Sequence, residues 1–321
     1  MKDRYDREIE YMRVSITDRC NLRCRYCMPA EGIEKISMSQ ILTFEEIVRV
    51  CKQAVSLGIN KFKITGGEPL VRRGCPDLIG LIKSVAGVEQ VTLTTNGQLL
   101  GEYLDELIDA GVDGINVSMD SLDPDRYREM TRGGELGPVL SSIDAAVAAG
   151  LRTKVNCLIQ KGCNEDEIVG FGQMAFDSGI DVRFIETMPV GFADAQAGVS
   201  NEEVLDRLQR YWPDLAPDDG VHGNGPAVYY HIPGQPGAVG LISALHGKFC
   251  NECNRIRLTS QGMLKPCLCY DDTIDLLSVL REGTDEDVRE VLASAVMEKP
   301  GGHCFEDRKL SEGDSMVQIG G

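Results

Sequence analysis

Short β-branched runs alternate with helical stretches along two thirds of this chain, and that alternation leaves few folds open. The runs fall at 12–17 (MRVSIT), 61–65 (KFKIT), 91–96 (VTLTTN), 114–119 (GINVSM), 153–159 (TKVNCLI) and 182–187 (VRFIET). Between and after them, helical periodicity covers 43–58, 76–86, 100–110, 138–149, 164–178 and 200–210. Gly58, Gly111, Gly150 and Gly179 close several of these stretches, and Thr43 with Glu46 three residues on forms a capping box. Repeated βα units pair in parallel through right-handed crossovers and carry their helices outside. The pattern predicts an α/β fold, a partial (β/α)6 TIM-like barrel over residues 1–212, with active-site groups at the C-terminal strand ends.

Unusual residues stand where such a barrel would use them. They are Thr17 to Cys27 after the first strand, Gly66-Gly67-Glu68-Pro69 after the second, Thr95-Asn96-Gly97 after the third, Ser118-Met119-Asp120 after the fourth and Met188-Pro189 after the sixth. Beyond about residue 212 the alternation stops. The stretch 213–240 is rich in Gly and Pro and reads as a linker with one or two short strands. RIRLTSQGMLKPCL then reads as a hairpin around Ser260-Gln261-Gly262, and 273–298 as two helices. Residues 213–321 are expected to form a second, smaller unit. Its SMVQIGG tail, ending in Gly320 and Gly321, has no evident core to join and is expected to be flexible.

The chain has 321 residues and 12 cysteines, too few for a disulfide scaffold, and half of them lie in two tight groups that point to metal. No apolar run approaches membrane-spanning length and the charged start resembles no secretory or organellar leader, so a cytoplasmic protein is expected. The net charge of −17 argues against nucleic acid and makes any anionic ligand depend on a local Arg/Lys cluster.

Cys20-x3-Cys24-x2-Cys27 offers three thiolates directly after a strand. Three soft ligands suit three irons of a cubane and leave the fourth iron open, whereas tetrahedral zinc requires a fourth ligand, and no His lies nearer than His222. Cys250-x2-Cys253-x13-Cys267 is less decisive. Cys269 or His246 could complete a zinc site there, so spacing alone leaves zinc and a second cluster about equally open.

Cys20-x3-Cys24-x2-Cys27, with Tyr26 before its last cysteine, and Gly66-Gly67-Glu68-Pro69 on the next strand together resemble the signature of the radical S-adenosylmethionine (SAM) superfamily. The runs MRVSITDRCNLRCRYCMP and FCNECNRIRLTSQGMLKPC, with FKITGGEPL, LTTNG, NVSMDSLD, TKVN, RFIETMP and KPGGHCF, resemble one family within it, the GTP 3',8-cyclases of molybdenum cofactor biosynthesis. The resemblance implies two [4Fe-4S] clusters, on Cys20, Cys24 and Cys27 and on Cys250, Cys253 and Cys267. SAM would sit on the first cluster's open iron and the guanine of GTP on the second's, and the two open irons would face each other across the barrel.

By the same resemblance SAM is docked by the Gly67 backbone, Ser118, and the backbones of Tyr26 and Met188. GTP is contacted by Arg13, Lys63, Thr94, Lys154 and the Arg255-Ile256-Arg257 segment, with Lys61 and Arg183 as further candidates and Arg257 assisting catalysis. Lys63 stands where the family usually has Arg, which keeps the charge and loses bidentate geometry. The family also implies a reductant protein, a following enzyme that makes cyclic pyranopterin monophosphate, and a reaching role for the Gly-Gly tail; a homodimer is compatible with it. A peptide-modifying radical SAM enzyme and a non-catalytic metal-cluster scaffold are the alternatives.

Overall fold

In the computed structural model, which describes all residues except 35, 195–196, 248, 306–314 and 321, the alternation becomes β1 (Tyr11–Ser15), α1 (Phe44–Ser56), β2 (Lys61–Thr65), α2 (Cys75–Lys83), β3 (Gln90–Thr95), α3 (Leu100–Asp109) and β4 (Gly114–Ser118). It continues with α4 (Pro124–Thr131), α5 (Leu136–Ala148), β5 (Thr153–Leu158), α6 (Ile168–Ser178), β6 (Asp181–Ile185) and α7 (Asn201–Tyr211). The remainder adds β7 (Ala216–Asp218), β8 (Val228–His231), β9 (Ala238–Ile242), β10 (Arg255–Leu258), β11 (Met263–Lys265), β12 (Ile274–Asp275), α8 (Leu277–Glu282), α9 (Asp285–Met297) and α10 (Met316–Ile319).

These strands form one sheet in the order β12-β11-β10-β1-β2-β3-β4-β5-β6-β9-β8-β7. From β10 to β9 every neighbour pairs in parallel, and only the outermost strands are antiparallel. The sheet curls. Lying flat, β1 and β6 would be about 24 Å apart at the usual strand spacing, yet Arg13 on β1 and Arg183 on β6 line the same cavity, and the charge of Arg183 adds to burial in lowering the Arg13 pKa.

Side-chain alternation gives the sheet two unlike faces. Met12, Phe62, Leu93, Val117, Val155 and Phe184 are all buried beneath the helices and make the main core. Their alternates Arg13, Lys63, Thr92, Asn116, Lys154 and Arg183 point the other way; the register pairs Arg13 with Lys63, Lys63 with Thr92 and Asn116 with Lys154, and sets Arg183 opposite Asn156. A packed barrel would fill its interior with branched apolar residues. This one lines it with hydrogen-bonding and charged groups.

Three features differ from the sequence expectations. The stretch 213–240, expected to be a linker with one or two short strands, holds β7, β8 and the start of β9, which runs on to Ile242 and joins the sheet beside β6. An additional helix, α4, follows β4; Asp123 caps it and Pro124 opens it. The tail is also not loose over Ser315 to Gly320. Val317 and Ile319 are buried, and the Gly320 carbonyl accepts a 2.8 Å hydrogen bond from Thr65 Oγ1. Gly321 lies outside the described residues.

Ile319 belongs to a small apolar cluster with Val190, Cys269 and Phe305, packed by Met188, Leu245 and Cys267. Met188 and Val190 follow β6, Leu245 follows β9, and Cys267 and Cys269 follow β11. The cluster therefore bridges the two ends of the open sheet and plugs the side the strands leave uncovered.

Candidate active site

The loop after β1 carries the first cysteine group. It lies beside the loop after β2, with Gly67 N–H donating to Thr17 O and Glu68 N–H to Arg19 O, both at 2.8 Å. Two glycines are required for that approach. A Cβ on Gly66, whose φ is +154°, would sit 2.5 Å from Thr17 O, and one on Gly67 would sit 2.5 Å from Arg19 O. Glu68 is buried and anchors the next strand end, accepting from Thr95 Oγ1 at 2.8 Å and Asn96 N at 2.6 Å. Burial lifts its pKa to about 7.

Cys20, Cys24 and Cys27 turn into the same space. Burial raises the Cys20 thiol to about 11 and Cys27 to about 12. Cys24 is raised by burial first and then by Asp120, Cys27 and Cys20. Ionised together in this buried space, the three thiolates would be costly unless a cationic core were shared among them, and an iron-sulfur core fits such a donor set. The Asn96 amide donates to Cys20 Sγ at 3.7 Å, and the Val317 N–H of the tail donates to Cys27 Sγ. Tyr26 is oriented by a 2.8 Å hydrogen bond to Asp120, whose pKa burial raises to about 6.

The second group lies at the other end of β1. Cys250 and Cys253 precede β10, which runs parallel to β1, and Cys267 follows the antiparallel β11. All three gather at the strands' N-terminal end, opposite the first triad. Two clamps hold this corner. Arg7, ion-paired to Asp3 at 2.6 Å, donates to Cys250 O at 2.8 Å and Pro300 O at 2.7 Å, and buried Lys299 donates to Pro266 O at 2.8 Å.

Around Cys253, burial raises the thiol pKa, but the charges of Lys299 and Arg255 outweigh it and leave the pKa lowered. Burial raises that of Cys267. Neither suggested fourth zinc ligand closes the group. His246 Nδ1 instead pairs with Glu186 at 2.9 Å, and Cys269 Sγ lies against Cys304. Among the described residues, no three His, Cys, Asp or Glu side chains close on a single ion.

Inside the curled sheet lies a cavity lined by Arg13, Lys63, Arg152, Lys154, Arg183 and Arg255, together with Thr92, Thr94, Asn116 and Asn156; no carboxylate is among its described lining residues. Most of these residues come from the interior and N-terminal halves of the strands, away from the C-terminal ends to which sequence reasoning assigned the active-site groups.

The cations oppose one another. Burial and the charges of Arg183, Arg13, Arg255 and Lys154 hold Lys63 well below its ordinary value. Lys154 falls to about 8, chiefly through burial, although Asp181 at 2.6 Å partly compensates. Arg257, beside Arg13, Arg255 and Cys267, is pushed down to about 9 by burial first. Arg255 Nε is buried without a hydrogen-bond partner. Such a collection is expensive without a polyanion.

Other candidates are placed as follows. Ser118 ends β4 opposite Asn156. Thr94 receives a 3.5 Å hydrogen bond from the Asn116 amide. Ile256 is fully buried in the main core, so only its backbone faces the cavity side. Lys61 is paired with Glu10 at 2.8 Å. Sequence reasoning missed the loop 222–226 over the cavity mouth. There His222 stacks on Tyr229 at 3.9 Å and lies 3.1 Å from both Asp181 and Asp218. It also missed Glu186, which accepts from Asn201 N at 3.1 Å and Leu245 N at 2.8 Å; no local pattern announces either.

The curled parallel sheet and the cysteine loop after its first strand define the class. Residues 14–175 match the radical SAM superfamily model, and 180–305 match the model for the C-terminal part of molybdenum cofactor synthesis proteins. The SAM-bound crystal structure of Streptococcus suis SuiB resembles the chain with a TM-score of 0.64 at 14% identity, over 97% of this chain and 78% of that one, a likeness of fold.

The GTP 3',8-cyclase of Alkaliphilus oremlandii is 48% identical over the whole of both chains. That of Moorella thermoacetica is 43% identical, again over the whole of both. The chain belongs to the GTP 3',8-cyclase family of the radical SAM superfamily.

Proposed function

We propose that Cys20, Cys24 and Cys27 hold one [4Fe-4S] cluster, that Cys250, Cys253 and Cys267 hold a second, and that the basic cavity between them receives the triphosphate of GTP. The observation carrying this reading is the cavity itself. An overall acidic chain concentrates mutually repelling cations on the one face of its sheet that runs from triad to triad. Held there, the clusters and SAM would supply the radical chemistry that converts GTP to (8S)-3',8-cyclo-7,8-dihydroguanosine 5'-triphosphate.

The chain's own residues hold and orient. Gly67 leaves its backbone open for the SAM amino group, Ser118 lies at the end of β4 for the carboxylate or ribose, and the backbones of Tyr26 and Met188 frame the adenine. Arg13, Lys63, Thr94, Lys154, Arg183 and Arg255 receive the nucleotide with the Ile256 backbone, and Arg257 lies at the second triad, where it assists at the guanine end. The division of labour falls near residue 212, with the SAM barrel in 1–212 and the guanine-side cluster unit in 213–321. The same proposal includes a protein reductant, transfer of product to the enzyme making cyclic pyranopterin monophosphate, a cytoplasmic setting and a homodimer. No described helix is long and apolar enough to cross a membrane.

The test is anaerobic incubation of iron- and sulfide-reconstituted protein with SAM, GTP and reductant. It should yield methionine, 5'-deoxyadenosine and an isomer of GTP, from protein holding about eight irons per chain. Deoxyadenosine with unchanged GTP, or one zinc in place of the second set of irons, would overturn the reading. Arg257→Ala should lower cyclisation at least about 100-fold, the scale for a lost charge-stabilising donor, with both clusters still loaded. Normal turnover in that variant removes Arg257 from the site.

A further inference from the structure

Six cysteines stand outside the two triads, and two of them meet. The Sγ atoms of Cys269 and Cys304 are 3.1 Å apart across 35 residues of sequence, and the Cys304 N–H donates to Cys269 Sγ at 3.0 Å. A disulfide bond measures about 2.05 Å, so about one ångström of closure would join them. Cys51, Cys75 and Cys157 are instead sealed in the core, and Cys163 is half-buried on the surface.

The pair lies in the cluster of Val190, Phe305 and Ile319 that plugs the open side of the sheet. Cys269 belongs to the turn after β11, and its N–H donates to Cys267 Sγ at 3.5 Å. Cys304 precedes the tail that reaches Thr65. A bond between them would tie the tail-bearing segment to the hairpin that carries Cys267. Cys269 is buried and Cys304 half-buried, so oxidant reaches Cys304 first.

We propose that Cys269 and Cys304 form a reversible dithiol–disulfide site, separate from the cluster ligands, that fastens the plug when a low-molecular-weight disulfide or a peroxide is present. The assignment of Cys269 as a non-ligand rests on the cluster reading above. With a disulfide R–S–S–R, the Cys304 thiolate displaces one RSH and forms a mixed disulfide. Cys269 then displaces the second RSH, and the two protein thiols have lost two protons and two electrons to the reagent. With hydrogen peroxide the same two electrons and two protons leave as water.

The experiment treats reconstituted holoprotein anaerobically with oxidised glutathione, then alkylates it after denaturation and maps its peptides by mass. The expected result is a Cys269–Cys304 cross-linked peptide pair lighter by two hydrogens, reversed by dithiothreitol, with iron content unchanged and Cys163 still alkylated. Cys304→Ser should abolish the cross-link and keep its iron. The proposal is overturned if both thiols remain alkylatable after treatment, if Cys269 pairs with another cysteine, or if Cys304→Ser or Cys269→Ser loses about half the iron, which would make the pair part of a cluster. Wild-type protein that binds no iron but still cross-links would sink the cluster reading and leave the dithiol site standing.

Discussion

Lys154 shows what the interior asks of a single residue. Its pKa of about 8, depressed mainly by burial and by Arg183, lies below the ordinary value of about 10.4 for lysine in an unfolded chain. Between those values the unfolded state holds more protons, so the ligand-free protein should gain stability as pH rises past about 8. In the proposed site the triphosphate pairs with the ammonium, so GTP affinity should move the opposite way and fall about tenfold by roughly pH 9, where a group titrating near 8 is nine-tenths neutral. Calorimetric titration with GTP and thermal melts without it, over the same pH series, would show the two opposed slopes; a flat affinity would remove Lys154 from the phosphate site.

The two triads should also come apart by mutation. Cys24→Ala should abolish SAM cleavage under reducing anaerobic conditions, whereas Cys267→Ala should keep uncoupled cleavage and lose cyclisation. Cyclisation by Cys267→Ala protein refutes the second assignment. The cysteine groups stood out by their spacing, and the cations were named from the family resemblance; six of the Arg and Lys residues line one cavity. Asp120 was picked out at its strand end but not its bond to Tyr26, and Glu186 and His222 were not picked out, since each is defined by partners distant in sequence, such as Leu245 and Asp181.

Among the elements, those with strong local signals were read well. The Thr43 capping box forms as expected, with Glu46 N donating to Thr43 Oγ1 at 3.2 Å and Thr43 N to Glu46 Oε2 at 2.7 Å. Thr43→Ala should cost about 1 kcal/mol by urea denaturation; an unchanged midpoint would mean that α1 is held by its packing and not by its cap. The elements that were missed have weak patterns. PDRYREMT is polar and buries only Tyr127, Met130 and Thr131, although Asp123 before Pro124 was a readable start. β9 was hidden among glycines, one of which has a structural use: a Cβ on Gly240 would lie 2.9 Å from both Arg183 Cγ and the Tyr229 ring. The strand gives up side-chain bulk so that Arg183 can lie across it.

For the whole molecule, the barrel was legible from its period but its completion was not. Pairing of β10 with β1 joins Arg257 to Arg13, and no periodicity reports a contact across that much sequence. The tail was misread for the same reason, since its partners Ser15, Thr65 and Cys27 lie near the start of the chain. Removing residues 315–321 should therefore lower cyclisation at least about tenfold, as expected when a positioning contact worth about 1.4 kcal/mol is lost, while leaving guanine-side iron in place. Full-rate cyclisation by the truncated protein would show that the tail only fills space.

The parallel pairing of β1 with β10 has a further consequence for synthesis on the ribosome. β1 and its cysteine loop emerge early, but their neighbour on one side is made only some 240 residues later. Until then β1 presents an open edge to solvent, and the interior between the triads stays accessible. Long-range closure of this kind is slow. The first cysteine loop and the Gly66-Gly67 turn beside it are therefore made long before the last strands shut the interior around them.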